Sequence, residues 1–555
     1  MDTQAKYFDR ALDHFLRFFY AHHPVDATFI GVHDYDGNLP DFSPGGVHSL
    51  LYALARRGRE LRAISPASLT HTQALDKKLV EGFIATRTWE YSSGFLINHC
   101  PAVYSGEAAL GLIALLRRPF APIQQRAESL IQRLEAIPAF LQQAQANLQD
   151  APPSWTDRAI KECVGARILI DKGIPILAKQ EGFASSTLNS ALTKGSAAFA
   201  KFQHFLESDL RQRPSDAYSC GPEALDIIIK KCHFLKESAA EIEAYALEQF
   251  HTSRALLEAG ALKMGVRDYP TALALLDDHQ ASASGFYASH QRHHDAVRAA
   301  AIEHHLFAWP EDYDIQFVQQ PPWLREAAPY LYVLPYHSEP AFDHLPFVDY
   351  MMRPMPDDPS AHKPFLRANN DSVVKLNYVV HHGGLGHHIQ NYYAYRAKSR
   401  IGQIAAVDVA YRIAMLSGGT LCEGWAQYTV DLMEEIGLMT PLEKYSQHYA
   451  RMRAAARAIV DVKLHTGQWS FETCEAFYKE HVNFTPAAAR TETVRDAIIP
   501  GVGMMYLLGI DGIKNLRRDM QRKEGASFNL QSFHDRLLAY GSIPVPLIAE
   551  AMLGD

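Results

Sequence analysis

The sequence predicts a mainly α-helical protein with a small β element and a metal site in its C-terminal part. Three observations lead to this prediction. Apolar residues recur at helical spacing along most of the 555 residues, prolines concentrate between about 310 and 370, and four histidines and three glycines lie within residues 381–390. The chain is 47% hydrophobic and 21% charged, which is typical of a globular protein.

Length and charge limit the classes of protein to consider. A chain of 555 residues exceeds the size at which one core normally stops growing, so we expect an N-terminal helical lobe at 1–309 and a C-terminal lobe at 310–555 that carries the metal site. The net charge of -8, without a block of Lys and Arg, argues against nucleic acid or an anionic membrane as a partner.

Cysteine usage and the N-terminal segment bear on the cellular setting. The six cysteines form no CxxC pair, so they predict neither a disulfide framework nor a cysteine zinc site. The first residues do not follow the pattern of a signal peptide, and no apolar run approaches the roughly 18 residues of a membrane span. We therefore expect a cytoplasmic protein.

Helical periodicity covers the N-terminal part in order. It runs through 45–65, 185–212, 222–262 and 284–306, and through a segment after Leu130 that we expect to kink or split at Pro138. His290 and His294 have the i, i+4 spacing of two ligands on one helix face. Because no acid follows His290 and the surrounding sequence is polar, we interpret these residues, with His293, as a solvated face.

The segment from 310 to 370 is too rich in proline for long helices. A short strand is expected at 330–334, and the whole segment is expected to separate the lobes and form a wall beside the active site. Helices return at 404–435, interrupted by Ser417-Gly418-Gly419, and continue at 440–466, 470–481 and 533–538.

His381, His387 and Glu423 are candidate ligands because two imidazoles and a distant carboxylate form a catalytic zinc site with one open position for water. The two histidines are six residues apart, which on a regular helix is a rotation of roughly 600° and a rise of about 9 Å. The helix must therefore be broken or bulged between them, and Gly383, Gly384 and Gly386 supply the freedom to do so. The alternative is a tight loop whose imidazoles cap helices.

These motifs resemble a bacterial family known as domain of unknown function 885, whose fold is similar to the carboxypeptidase Taq type of zinc peptidase. The resemblance runs over almost the whole chain. It is carried by the histidine motif, Glu423-Gly424-Trp425-Ala426-Gln427-Tyr428, Arg453, Arg457, Asp461, His465, Glu492, Arg495, Pro500, Gly501, Tyr506 and the stretch from Phe533 to Gly541. It implies a multi-helical, gluzincin-type architecture in which two lobes flank a deep central cleft with the metal site on its floor.

The resemblance also implies roles for individual residues. His381, His387 and Glu423 match the ligands of zinc or another divalent metal, one ion per chain. Arg495 and Tyr506 would donate hydrogen bonds to a developing oxyanion, unless Arg495 merely pairs with Glu492 or Glu423. Around these residues, the expected second layer consists of Asp461, His465, His388 and Gln390, with Asp461 and His465 interpreted as a buried structural pair.

The chain departs from the family pattern in the motifs that would line the cleft. His382 stands where the family has its general-base Glu, and Leu385, Asp496, Val502, Leu507 and Val430 replace other family residues. Three alternatives are open. His382 would serve as an atypical base, or it would be an added ligand that fills a tetrahedral site. In the third alternative, the site would bind a different divalent metal and support a reaction other than hydrolysis.

The sequence therefore predicts a divalent-metal hydrolase that acts on a peptide or amide bond of a small-molecule or peptide substrate held in the cleft. Two alternatives remain open: a metal enzyme with non-hydrolytic chemistry, and a catalytically silent binding or scaffold relative.

Overall fold

Helices account for most of the chain, as the sequence predicted. The computed structural model describes residues 3–331, 336, 340–343, 345, 347–405 and 417–554. Several helices begin at capping boxes in which Thr or Ser and the Gln or Glu three residues later satisfy free backbone N–H groups, as at Thr70, Ser238 and Thr440. The helices of the first half are α1 (Thr3–His22), α2 (Pro24–Ile30), α3 (Pro44–Arg62), α4 (His71–Ser93), α5 (Pro101–Arg117), α6 (Ile123–Asn147), α7 (Pro153–Ile168), α8 (Ile174–Glu181), α9 (Ser186–Ser208), α10 (Pro222–Ile227), α11 (Ala239–Lys263), α12 (Tyr269–Ala274) and α13 (Phe286–Glu303).

Helix α6 runs through Pro138 without a break, so the predicted split is wrong. Its buried face, which includes Leu134, Ile137 and Leu141, packs against α5 and α9. Burial of that face stabilises the helix on both sides of the proline, and this outweighs the one backbone hydrogen bond that proline removes.

The β element is a pair of parallel strands, β1 (Asp314–Gln319) and β2 (Phe347–Met352), with Asp314 opposite Phe347 and Gln319 opposite Met352. The sequence placed a strand at 330–334 instead. Tyr330 ends a 3₁₀ turn, and 332–334 lie outside the described residues. Two short helices accompany the sheet, α14 (Pro322–Arg325) and α15 (His362–Ala368).

The sheet supports the histidine motif through a small apolar core. Ile315 of β1 and Val348 and Tyr350 of β2 are buried there with Val374 and Tyr378, which lie a few residues before His381. The strands therefore pack against the segment that carries the first two histidines.

The remaining helices form the C-terminal part of the molecule. Helix α18 begins just after Ser417-Gly418-Gly419, as predicted, and residues 406–416 of the expected 404–435 helix lie outside the described residues. These helices are α16 (His387–Tyr395), α17 (Arg400–Ile404), α18 (Thr420–Glu435), α19 (Pro441–His465), α20 (Phe471–Val482), α21 (Pro486–Ile498), α22 (Val502–Glu524), α23 (Leu530–Leu538) and α24 (Val545–Gly554).

A large cluster of buried apolar side chains extends from Phe8 in α1 to Met552 in α24. The division into lobes at residue 309 stays a prediction. Within the described part of the chain, no single helix has the length and apolar character to cross a membrane, and one bent helix pair, α21 with the helical residues 502–527, reaches that threshold only when its two members are taken together.

Candidate metal centre

His381 and His382 lie at the end of a π-helical segment, Val373–Gly383. A π-helix has a wider turn than an α-helix, is rare, and occurs mostly as short bulges at functional sites. Lys375 anchors the segment, since its Nζ donates to Glu443 Oε2 at 2.7 Å and to the Leu438 carbonyl at 2.8 Å. The π-helical segment lies before the predicted break between His381 and His387, and Gly383 is its last residue.

The helical backbone ends at Gly383, a turn follows at residues 384–386, and α16 begins at His387. Gly383, Gly384 and Gly386 do not have positive φ, so the left-handed freedom expected of them is not used. Gly386 is required for space instead, because a Cβ there would overlap the His381 carbonyl and lie 3.1 Å from Ala426 Cα. This close approach brings the turn against α18.

The turn and α18 bring three imidazoles and one carboxylate together. His381 Nε2 lies 3.4 Å, and His387 Nε2 3.8 Å, from Glu423 Oε2. One nitrogen from each of His381, His382 and His387 lies within 4.8 Å of the others. Ligands at about 2.1 Å from a tetrahedral zinc ion are about 3.4 Å apart, so the spacing suits one ion.

Residues that the sequence analysis did not select hold this arrangement in place. His382 Nδ1 donates to the Asn377 carbonyl at 2.7 Å, and His381 Nδ1 lies 3.0 Å from the Gln427 amide. Trp425 Nε1 donates to the Leu385 carbonyl at 2.9 Å, which fixes the turn against α18. A hydrogen bond at one ring nitrogen orients the other nitrogen, as in most protein metal sites.

The protonation states suit a divalent cation. Burial lowers the pKa of His387 to about 4, although Glu423 and the Gln390 amide oppose the shift, and burial with the neighbouring imidazoles lowers the pKa of His382 well below 6.5. Burial alone would raise the pKa of Glu423, but His381 and the other two imidazoles lower it to about 2. Neutral imidazoles and an ionised carboxylate are the forms that bind metals.

Arg495 and Tyr506, the two residues predicted to donate hydrogen bonds to an oxyanion, have different surroundings. The Nη2 of Arg495 lies 2.8 Å from Glu492 Oε2 and 3.1 Å from Asp496 Oδ1, so the alternative pairing with Glu492 is the one that forms. Tyr506 is buried, and after burial itself the charge of Glu423 is the largest cause that raises its pKa. The charge of Glu423 therefore reaches the Tyr506 hydroxyl, and the Arg495 guanidinium lies 5.6 Å from the Tyr506 ring.

Asp461 and His465 form a buried pair away from the imidazoles. The Asp461 carboxylate accepts from Gly501 N at 2.9 Å and Met504 N at 3.1 Å, at the start of α22. His465 Nε2 lies 3.7 Å from that carboxylate and 3.0 Å from the Asp496 carbonyl. These contacts join α19 to α21 and α22. They agree with the interpretation of Asp461 and His465 as a buried structural pair.

His388 and Gln390 flank His387; Gln390 interacts with the His387 ring, and both residues also contact other groups. The ring of His388 stacks on Tyr313 at 4.3 Å, and its Nδ1 is buried without a hydrogen bond. Gln390 donates to Ser542 Oγ and to Cys422 Sγ, which ties α16 to α18 and to the C-terminal residues.

His290 and His294 are buried, so their interpretation as a solvated face is wrong. Their rings lie 5.8 and 5.7 Å from the ring of Phe317 in β1. The local sequence looked polar because the apolar groups that cover these histidines come from the sheet and the π-helical segment.

The fold and the centre define a mainly helical protein with three imidazoles and one carboxylate gathered at a π-helix. The family model described as "Bacterial protein of unknown function (DUF885)" matches residues 24–552, and the chain belongs to this family. No curated protein sequence matches the chain.

Two solved structures share the fold. One is described as a "putative lipoprotein of unknown function" from Shewanella oneidensis, with a TM-score of 0.78, 18% identity and coverage of 100% of both chains. The other is described as a "putative lipoprotein" from Colwellia psychrerythraea, with a TM-score of 0.76, 16% identity and coverage of 99% of this chain and 97% of that one.

Proposed function

We propose that this protein is a divalent-metal-dependent hydrolase that cleaves a peptide or amide bond. His381, His387 and Glu423 would hold one ion of zinc or another divalent metal. The observation that carries the proposal is the approach of two imidazole Nε2 atoms to the same Glu423 oxygen, at 3.4 and 3.8 Å, in a buried cluster.

The donor set has the composition of a catalytic centre. Two imidazoles and one carboxylate leave a fourth position for water, and a metal in such a site would lower the pKa of that water and polarise a carbonyl group. Gln427 and Trp425 orient the ligands by hydrogen bonds to His381 Nδ1 and to the Leu385 carbonyl. Both residues belong to α18, which also supplies Glu423, so one helix positions most of the centre.

In this proposal His382 is the proton acceptor. Its Nδ1–H is held by the Asn377 carbonyl, which leaves the lone pair on Nε2. That lone pair would take a proton from the attacking water and pass it to the leaving nitrogen. Tyr506, whose pKa the charge of Glu423 raises, would donate its hydroxyl hydrogen to the substrate oxygen as charge develops there.

A second candidate follows from the convergence of His382 with His381 and His387. Three imidazoles and Glu423 would close a tetrahedral zinc site, or bind a metal of higher coordination number that supports non-hydrolytic chemistry. Metal content alone does not separate the two candidates, whereas substitution of His382 does.

The proposal is tested first by metal analysis. We expect purified protein supplied with zinc to carry about one divalent ion per chain, and His387→Ala and Glu423→Gln to lose it. His304→Ala is the matched control, because that histidine is exposed. If wild-type protein and His387→Ala both remain metal-free after zinc supplementation, the enzyme proposals fail and a silent binding or scaffold role replaces them.

We also propose a gluzincin-type architecture with a deep cleft, similar to that of carboxypeptidase Taq type peptidases. The proposed substrate is a small molecule or a peptide. Neither nucleic acid nor a membrane surface is proposed as a partner. A cytoplasmic setting agrees with six free cysteines. If the lipoprotein description of the two solved relatives extended to this chain, the protein would instead be exported.

A further inference from the structure

Arg453, Arg457 and Arg495 form a cluster on two helices, and the guanidiniums of Arg457 and Arg495 lie beside Tyr506. Arg453 and Arg457 lie one turn apart on α19, and Arg495 lies on α21. The arginine side chains are mostly buried, with 11% of Arg457 and 16% of Arg495 exposed. Glu492 is the carboxylate that holds two of them: it accepts from Arg457 Nε and Nη2 at 2.9 Å each and lies 2.8 Å from Arg495 Nη2.

Arg453 is not held in this way. Among the described residues it forms neither a hydrogen bond nor an ion pair, and its Nε is buried without a partner. Its guanidinium carbon lies 5.7 Å from the ring of Tyr449 and 5.9 Å from that of Phe484. Two aromatic faces hold the cation in place, while its hydrogen-bond donors remain available.

The charges of this cluster do not balance. Glu492 contacts the guanidiniums of Arg457 and Arg495, Asp496 contacts that of Arg495, and Asp496 also accepts a hydrogen bond from the Tyr478 hydroxyl at 2.5 Å. Burial, followed by repulsion from Arg457, lowers the pKa of Arg453. A desolvated guanidinium without an anionic partner is unfavourable in a protein interior, and an oxyanion with matching geometry relieves that cost.

Tyr506 relates the cluster to the candidate metal centre. The ring of Tyr506 lies 4.7 Å from the Arg457 guanidinium and 5.6 Å from that of Arg495, and the charge of Glu423 raises the pKa of the same tyrosine. A ligand that reaches the metal centre past Tyr506 would therefore come close to the arginines.

We infer that Arg453, together with the unused donors of Arg457 and Arg495, binds an anionic oxygen group. The assignment of this group to the substrate rests on the proposed function; the binding itself does not. The ligand chemistry is a carboxylate or a phosphate, since both match the planar fork of a guanidinium.

The test is anion binding to metal-stripped protein, measured by calorimetry with inorganic phosphate and, separately, with glutarate. Wild-type protein should bind at least one of them, and His387→Ala should bind it equally well because the metal ligands are not involved. Binding of phosphate alone would indicate a phosphate-bearing substrate, and binding of glutarate a carboxylate-bearing one. Arg453→Met should weaken binding about tenfold or more, as expected for the loss of a charged donor, and Arg453→Lys should weaken it less.

Arg298→Met is the matched control. Arg298 also lies over an aromatic ring, at 5.4 Å from that of Trp309, but outside the cluster. Its substitution should leave binding unchanged. If neither anion binds to wild-type protein, or if folded Arg453→Met binds as well as wild type, the arginines form only an internal network and the inference is wrong. Metal binding without anion binding would overturn this inference alone, and anion binding without metal binding would overturn the proposed function alone.

Discussion

His382 is the residue on which the chemistry of the centre depends. The resemblance to the family identified it as a departure, because a Glu is expected at this position. The structure adds its orientation, since the bond from Nδ1 to the Asn377 carbonyl leaves Nε2 as the basic atom of a ring close to two candidate ligands. An imidazole in that position accepts a proton without adding negative charge to the centre.

Substitution of His382 tests its role. If it is the proton acceptor, His382→Ala should keep about one metal per chain but lose about 10²- to 10⁴-fold in the rate of amide hydrolysis, the usual contribution of a general base. His382→Glu should retain activity, because a carboxylate also accepts the proton. Metal content and turnover of a peptide library are the two measurements, and loss of the metal in His382→Ala would make His382 a ligand instead.

The candidate ligands were selected from residue types and spacing alone, and the structure brings His381, His387 and Glu423 together. Their hydrogen-bond partners were not selected. Asn377 precedes the motif without a distinctive pattern, and Gln427 acts only because α18 turns its side chain toward His381. Such contacts depend on three-dimensional packing, which residue spacing does not encode.

At the scale of elements, the crossing of α18 and α22 brings Glu423 close to Tyr506. The two helices meet at Gly424 and Gly509, where a Cβ on Gly424 would lie 2.5 Å from the carbonyl carbon of Gly509. Backbones approach this closely only where both residues lack side chains. The glycine that follows Glu423 therefore sets the distance between the helices.

We predict that Gly424→Ala destabilises the protein by about 1–3 kcal/mol, the usual cost of overpacking, and weakens metal binding by moving Glu423. The direction of the change in stability is informative, because in an unconstrained helix alanine is more stabilising than glycine. Chemical unfolding and metal titration measure the two effects. Gly45→Ala is the control, since the nearest atom to a Cβ there is 3.9 Å away, and equal stability of the two variants would contradict the prediction.

Periodicity predicted most helices but not their local geometry. The helix at 284–306 was expected from its pattern, and α13 occupies Phe286–Glu303. A break or bulge was predicted between His381 and His387, where residues 384–386 form the turn, but the π-helical form of residues 373–383 was not predicted. A π-helix depends on packing against β1, β2 and α13, because its intrinsic stability is lower than that of an α-helix.

At the scale of the whole molecule, buried histidines connect stability to pH. Burial lowers the pKa of His233, His465 and His534 from 6.5 to about 4 in each case. Between these values the unfolded chain binds protons that the folded protein does not. The stability that these three histidines contribute is therefore complete above about pH 6.5 and is lost as the pH falls toward 4.

We predict that the free energy of unfolding decreases steadily between pH 6.5 and 4.5, as measured by urea titration at several pH values. His534→Asn should reduce this slope, because one proton fewer is taken up on unfolding, whatever the variant does to stability at neutral pH. His304→Asn, at an exposed position, should leave the slope unchanged. A stability that stays constant across this range would contradict the prediction.

The sequence by itself determined the helical class, the break before α18 and the candidate ligand set, because periodicity, glycine and ligand spacing are local properties of a chain. The tertiary structure alone decided that His290 and His294 are buried, that Arg495 pairs with Glu492, and that Arg453 lacks an anionic partner within the described part of the chain. These features depend on side chains that are brought together from distant parts of the sequence. Burial and charge balance are properties of the packed molecule, so no single segment carries the information that sets them.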